Sequence, residues 1–302
     1  MMNPLIIVNA QIRDAIPVSM LALDRGLAYG DGVFETMAYQ NGDITLWRLH
    51  YERLLAGLAG LGIELDDALL TQQMDRLFQQ LSHTPSMTGV IKLIITRGVG
   101  GRGYQPPVSS SPLLVSLFFP DQGPAADIAV RGARIHRCTQ TLAHFPITGI
   151  KSLNQLSYVL ASDERLNTTW DEGLLCDAQG RIIEATARNL FMVDHNNQLI
   201  MPDLSRCGVE GVMKRLITDH IAPALGLVLH TSDIYVEQLL SAKECFLSNS
   251  ISGIWPVVQC DDNTWAIGSV SRRIMLAVDQ WLNTHADLSY QTVYNSCSGN
   301  LT

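Results

Sequence analysis

The sequence predicts an α+β chain of two domains. Three observations point there. The chain has 302 residues, more than one typical hydrophobic core organises. Its β-rich runs come in pairs around turn residues, with amphipathic helices between the pairs, which suits α+β rather than a doubly wound parallel sheet. The Pro-, Gly- and Ala-rich stretch PDQGPAAD at 120–127 reads as a linker. It divides an N-terminal α/β domain, 1–119, from a larger C-terminal α/β domain, 128–302.

The elements follow in order. LIIVNAQIRD reads as a strand and turn, and VFETMAYQNGDITLW as two β-rich runs around Asn41-Gly42, a hairpin signal. LWRLHYERLLAGLAGLG is an amphipathic helix ending near Gly60 and Gly62, and DDALLTQQMDRLFQQLS is a second. The strands GVIKLIITRG and PLLVSLFF flank the loop GVGGRGYQPPVSSS. Past the linker, IAVRGARIH predicts a strand, and a helix is expected from Asn154 to Asn167. Paired strands EGLLCDAQGRIIEAT and NLFMVDHNNQLIMP turn at Gln179-Gly180 and Asn196-Asn197. A helix from Val209 to Leu225 should break at Pro223, whose ring and missing N–H interrupt the ladder. The strand ECFLSNS and a helix from Ser269 to Thr284 close the chain.

Composition narrows the function. With 47% hydrophobic and 17% charged residues, the chain can bury a large core. It contains no apolar run long enough to span a bilayer. The start, MMNPLIIVNAQIRD, lacks a basic n-region and a long apolar h-region, so a cytoplasmic protein is expected. Six scattered cysteines with no C-x-x-C predict free thiols rather than a disulfide framework or zinc site. The eight histidines form no H-E-x-x-H, and no metal is expected. The net charge is −8 with no basic block, which disfavours nucleic acid; an anionic ligand must be drawn by local arginines.

Four candidates carry chemistry. Lys151, one of only four lysines, lies in PITGIKSLNQL, where a loop turns into a helix: Leu156, Val159 and Leu160 follow at helical spacing. The plain reading is a surface lysine. The sharper one is that a helix N-terminus disfavours the ammonium form, leaving an amine suited to attack an aldehyde. Lys243 and Lys214 sit in polar or helical settings, whereas Lys92 alternates with Val90 and Ile94 and competes for the role. Arg53 shares a helix sector with Leu46 and Leu49, so it either snorkels past the core or meets a buried anion. Gly208 and Gly211 open a helix, where backbone N–H groups suit a phosphate. Glu184 ends an apolar strand, either solvated there or paired with a protonated ring nitrogen. Together these are the needs of pyridoxal phosphate.

Six blocks then carry a family resemblance over nearly the whole chain: DRGLAYGDGVFETM, HYERL, GIKSLNQL, IEATARNLF, GVEGVMK and NSISGIWPV, in this order. The chain resembles the fold-type IV pyridoxal-phosphate enzymes, the branched-chain and D-amino acid aminotransferase superfamily. The resemblance implies a small N-terminal domain, a larger C-terminal domain, a pyridoxal 5′-phosphate cofactor and a homodimer with its active site at the interface. It implies that Lys151 carries the cofactor, Glu184 faces the pyridine nitrogen, and Arg53, Ser250 and the N–H groups of Val209 and Glu210 hold the phosphate. Within the family, RGVGGRGY at 97–104 and GIKSLN are similar to the 4-amino-4-deoxychorismate lyases. That likeness implies conversion of 4-amino-4-deoxychorismate to 4-aminobenzoate and pyruvate in folate biosynthesis, with Arg102, Arg97 and Tyr104 meeting the anionic substrate; Arg102 is the favoured direct ligand, and the alternative for Arg97 is to stabilise the loop. Branched-chain aminotransferases usually carry a tyrosine five positions after the lysine, where this chain has Leu156. The alternatives are a D-amino acid or branched-chain aminotransferase, or a catalytically inactive relative that binds the cofactor.

Overall fold

A computed structural model describes residues 5–82, 87–120, 126–166, 168–284 and 290. The chain packs as two compact units. One comprises Met1–Gly123, Ile150–Asn154 and Asp287–Thr302, the other Pro124–Gly149 and Gln155–Ala286. Residues 150–154, assigned from sequence to the C-terminal domain, therefore pack with the first unit. Residues 121–125 of the expected linker lie outside the described residues.

The first unit is built on a six-stranded antiparallel sheet. Its strands are β1 (Leu5–Val8), β2 (Gln11–Arg13), β3 (Gly32–Gln40), β4 (Asp43–Ile44), β5 (Gly89–Thr96) and β6 (Leu113–Pro120), in the order β2-β1-β6-β5-β3-β4. Asn41 and Gly42 both take positive φ, 54° and 81°, the geometry of a two-residue hairpin between β3 and β4. Alternation turns Val33, Met37 and Tyr39 of β3 and Ile91, Leu93 and Ile95 of β5 to one face. Against that face pack the helices α3 (Trp47–Leu61) and α4 (Asp67–Leu81), through Leu54, Leu58, Leu70, Met74 and Leu77. Two short helices unforeseen from sequence, α1 (Val18–Leu21) and α2 (Arg25–Tyr29), precede β3. The Asp24 side chain caps α2 by accepting from Leu27 N at 2.9 Å.

The second unit opens with a correction. The expected strand at 128–136 begins as a helix, α5 (Ala126–Arg131), and becomes strand only from Ala133. An Asp127–Arg131 pair at 3.2 Å one turn apart supports the helix, and Gly132, at φ 86°, ends it. Its strands are β7 (Ala133–Leu142), β8 (Glu172–Asp177), β9 (Ile182–Ala185), β10 (Asn189–Val193), β11 (Leu199–Pro202), β12 (Leu229–Ser232), β13 (Glu244–Asn249), β14 (Gly253–Cys260) and β15 (Asn263–Thr264). They form a mixed sheet in the order β12-β11-β10-β13-β14-β7-β8-β9, with β15 paired to β14. The β14 strand was not foreseen from sequence. The helix α6 (Leu156–Asp163) is shorter than expected. The helix after the glycine turn runs without a gap through α7 (Val212–Leu216), a π-helical turn (Ile217–Ile221) and α8 (Ala222–Ala224), so the expected break at Pro223 is absent and the ladder instead widens over the turn before it. The helices α9 (Val236–Leu240) and α10 (Ser269–Thr284) complete the unit, the latter with the bounds expected from sequence. Ile135, Leu174, Leu190, Leu247 and Trp255 belong to its buried core. Among the described residues, no helix is long and apolar enough to cross a membrane.

Candidate active site

In the first unit, Lys151 lies in an extended segment beside β3. Phe34 N donates to Lys151 O and Leu153 N to Gly32 O, each at 3.0 Å. Helix α6 begins only at Leu156, so Lys151 is not in its first turn and the helix-dipole argument does not apply. The Lys151 Nζ stands 4.5 Å from the Phe34 ring centroid. Lys92, from β5, puts its Nζ 5.1 Å from the same ring. Of the alternatives open from sequence, Arg53 meets a buried anion. Its Nε and Nη2 donate to Glu35 at 2.8 and 2.5 Å, and His50 Nδ1 lies 2.7 Å from the same carboxylate. Burial opposes a charge on Glu35, but Arg53 and His50 outweigh it and bring the carboxyl down to about 2. Burial also lowers His50.

The loop at 97–104 is held from below. Arg97 is buried: it donates to both oxygens of Asp31 at 2.8 and 3.0 Å, to Gly62 O at 2.9 Å and to Leu61 O at 2.7 Å. Arg25 donates to the same Asp31 at 2.8 Å, to Gly103 O at 3.0 Å and to Tyr104 O at 2.7 Å. Burial works to raise Asp31, yet the bonds from Arg97 and Arg25 hold it below the usual carboxylate range. Arg97 thus anchors the loop, the second of the two roles open for it from sequence, and its donors are taken up by Asp31 and backbone carbonyls rather than offered to a substrate. Arg102 is exposed, and Tyr104 is 85% exposed.

In the second unit, Glu184 is 3% exposed, so the solvated reading fails. Its Oε1 accepts from Tyr158 O–H at 2.5 Å and Val209 N at 3.0 Å, and its Oε2 from Asn189 Nδ2 at 3.0 Å. Glu210 N donates to Gly149 O at 3.0 Å. The N–H groups of Val209 and Glu210 are therefore committed to the protein itself, which corrects their assignment as phosphate donors. The helix ladder starts with Arg215 N donating to Gly211 O at 2.9 Å, so Val212 and Met213 carry first-turn N–H groups. Ser250 is half-buried in the turn after β13, beside Asn249, whose Oδ1 accepts from Ile251 N and Ser252 N.

Sequence reasoning missed Glu35, His50, Arg25, Tyr158 and Asn189. Arg25 and Glu35 stand within the quoted DRGLAYGDGVFETM block, His50 within HYERL and Asn189 within IEATARNLF, so the blocks held the signal without the pairing; Tyr158 lies outside all of them, and its partner is remote in sequence. Two further clusters bring His, Cys and carboxylate atoms within 4.8 Å: His136–Cys138–Glu164 and His144–Asp177–Cys207. In each the carboxylate is already engaged, Glu164 by the N–H groups of Thr139 and Gln140 and Asp177 by Arg181.

Comparisons with known proteins identify the family and the fold. An aminodeoxychorismate lyase from Vibrio harveyi is 32% identical over 260 residues, covering 83% of this chain and 92% of that protein. The crystal structure of 4-amino-4-deoxychorismate lyase from Pseudomonas aeruginosa superposes with a TM-score of 0.83 at 37% identity, over 93% of this chain and 99% of that one. The branched-chain amino acid aminotransferase from Escherichia coli shares the fold, with a TM-score of 0.77 at 22% identity over 93% of this chain and 95% of that one. The profile of Amino-transferase class IV matches residues 32–260. On that match and on relatives that span nearly all of the chain, the protein belongs to the class IV aminotransferase family, the fold-type IV enzymes.

Proposed function

We propose that the protein is an aminodeoxychorismate lyase, releasing 4-aminobenzoate and pyruvate from 4-amino-4-deoxychorismate in folate biosynthesis. The family depends on pyridoxal 5′-phosphate. The donor set suits that group: a lysine amine, a buried carboxylate and an arginine oriented by Glu35. In this reading Lys151 carries the cofactor and Glu184 meets its ring nitrogen. Arg53, Ser250 and the N–H groups of Val212 and Met213 hold its phosphate. When bound, the cofactor supplies an electron sink for bond breaking at the amine-bearing carbon.

The chain's own residues manage protons and charge. The Lys151 amine takes the proton from the amine-bearing ring carbon of the substrate and returns one to the departing enolpyruvyl group. Arg102, Tyr104 and Lys92 meet the two substrate carboxylates in a protein of net charge −8. Aromatisation drives the elimination, so positioning carries much of the task.

The observation that carries this reading is the loop at 97–104, whose base is fixed by Arg25 and Arg97 while Arg102 and Tyr104 face outward. The relatives at 32% and 37% identity bear lyase names. The test mixes purified protein with enzymatically generated aminodeoxychorismate. Equal release of 4-aminobenzoate and pyruvate is expected. Amino transfer to a keto acid without 4-aminobenzoate would make it an aminotransferase, and bound cofactor without turnover an inactive relative. We also read the exposed stripe Leu156, Val159 and Leu160 on α6 as a face covered by a second copy in a homodimer, to be checked by light scattering.

A further inference from the structure

Tyr158 takes no part in the mechanism above, yet it is placed against a group that does. It sits on α6 with its ring packed beside Leu142, Leu175, Ile183 and Cys207 of the second unit. Its side chain points inward, whereas Leu156, two residues earlier, is 69% exposed. The phenol O–H donates to Glu184 Oε1 at 2.5 Å, on the oxygen that also accepts from Val209 N. Asn189 donates to the other oxygen and to Val209 O at 2.9 Å, so the carboxylate's rotation is fixed from both ends.

Each donor hydrogen bond to a carboxylate favours its ionised form and lowers its affinity for a proton. A phenol near a buried carboxylate keeps its own proton: burial first, and then the Glu184 charge, push Tyr158 well above the ordinary tyrosine range. It is therefore a permanent donor. A carboxylate facing a pyridine nitrogen shares one proton with it, and the side with the greater affinity keeps that proton.

We propose that Tyr158 is a positioning residue for Glu184, holding the carboxylate oriented and weakening its proton affinity so that the shared proton rests on the cofactor's ring nitrogen. The inference rests on the reading that Glu184 faces that nitrogen. Tyr158→Phe removes the donor and keeps the ring in place. Glu184 then competes better for the proton, and the electron sink weakens.

The test reconstitutes the protein with pyridoxal phosphate labelled with ¹⁵N in its ring and reads the ring-nitrogen chemical shift, which separates protonated from neutral nitrogen without turnover. Wild type should give the protonated shift, Glu184→Gln the neutral one, and Tyr158→Phe a shift displaced towards neutral. The same Tyr158→Phe protein should lose about 10- to 100-fold in kcat with KM little changed, as expected for one hydrogen bond to a charged group. A Tyr158→Phe shift identical to wild type, with Glu184→Gln displaced, would overturn the role of Tyr158 alone. An unchanged shift in Glu184→Gln would overturn the reading of Glu184 and the inference with it.

Discussion

Arg53 meets Glu35 edge-on, with Nε 2.8 Å from one carboxylate oxygen and Nη2 2.5 Å from the other. This pair orients a guanidinium that would otherwise sample several rotamers, and it is buried on the Glu35 side. Glu35→Gln removes the charge partner from Arg53, a change that typically costs about 3–5 kcal/mol for a buried pair. We expect a lower melting temperature and weaker cofactor retention, read by calorimetry and by dialysis of the holoprotein. Unchanged retention would separate Glu35 from the phosphate site.

The same pair predicts an acid limb. The folded Glu35 carboxyl lies at about 2, below its ordinary 4.5, so its contribution is complete above 4.5 and lost as pH falls through 2. A shift of that size corresponds to about 3 kcal/mol. His50 is lowered by burial, so its share is complete above 6.5 and begins to be lost as pH falls below that value, in the same direction. Melting temperature against pH should fall on acidification more steeply in wild type than in Glu35→Gln. Parallel curves would contradict the assignment.

Lys151 and Lys92 flank one phenylalanine, which makes them rivals for the aldehyde. Borohydride reduction of the holoprotein, followed by peptide mapping, should label residue 151. Lys92→Met should load cofactor normally and raise KM about 10-fold through loss of one charge-assisted contact. Label at residue 92 would reverse the two roles.

The two arginines of the loop should part company on mutation. Arg102→Ala should lower kcat/KM about 10- to 100-fold with an unchanged melting temperature. Arg97→Ala abandons Asp31 and two backbone carbonyls, so it should destabilise by about 2–4 kcal/mol. Denaturant titration alongside kinetics reads both; equal melting temperatures for the two variants would undo the distinction.

Gly211 lies where a Cβ would overlap Asn189 Oδ1, and Asn189 in turn steadies Glu184 and Val209 O. Gly211→Ala should therefore cost about 1–3 kcal/mol of stability, as overpacking does, and weaken cofactor binding. Absorbance titration with pyridoxal phosphate checks it, and wild-type affinity would show that Asn189 can move without consequence.

Periodicity made α3, α4 and α10 legible, and Asn41-Gly42 marked its hairpin, because these signals are local. The segment 126–131 misled because Ile128 and Val130 look β-prone, while a helical ion pair and Gly132 decide the outcome. At the site, family blocks pointed to Lys151, Arg53 and Glu184. They did not show Tyr158 reaching Glu184, 26 positions away, or Arg25 reaching Tyr104, 79 away. The engagement of the Val209 and Glu210 N–H groups was not legible, because a glycine-rich stretch does not say which of its N–H groups the protein keeps for itself.

The short segment 150–154 has a consequence for how the first unit comes into being. Gly32 O and Phe34 N obtain partners from Leu153 and Lys151, more than a hundred residues later in the chain. A polypeptide cut at Gly123 would keep the six-stranded sheet's own pairings but present that end of β3 as an open edge, the kind of surface that recruits other chains. During synthesis the same edge waits until residue 153 has emerged. The same two bonds that cover this edge also fix the backbone of the lysine, so its placement depends on a non-local pairing that pays its loop-closure cost before it forms.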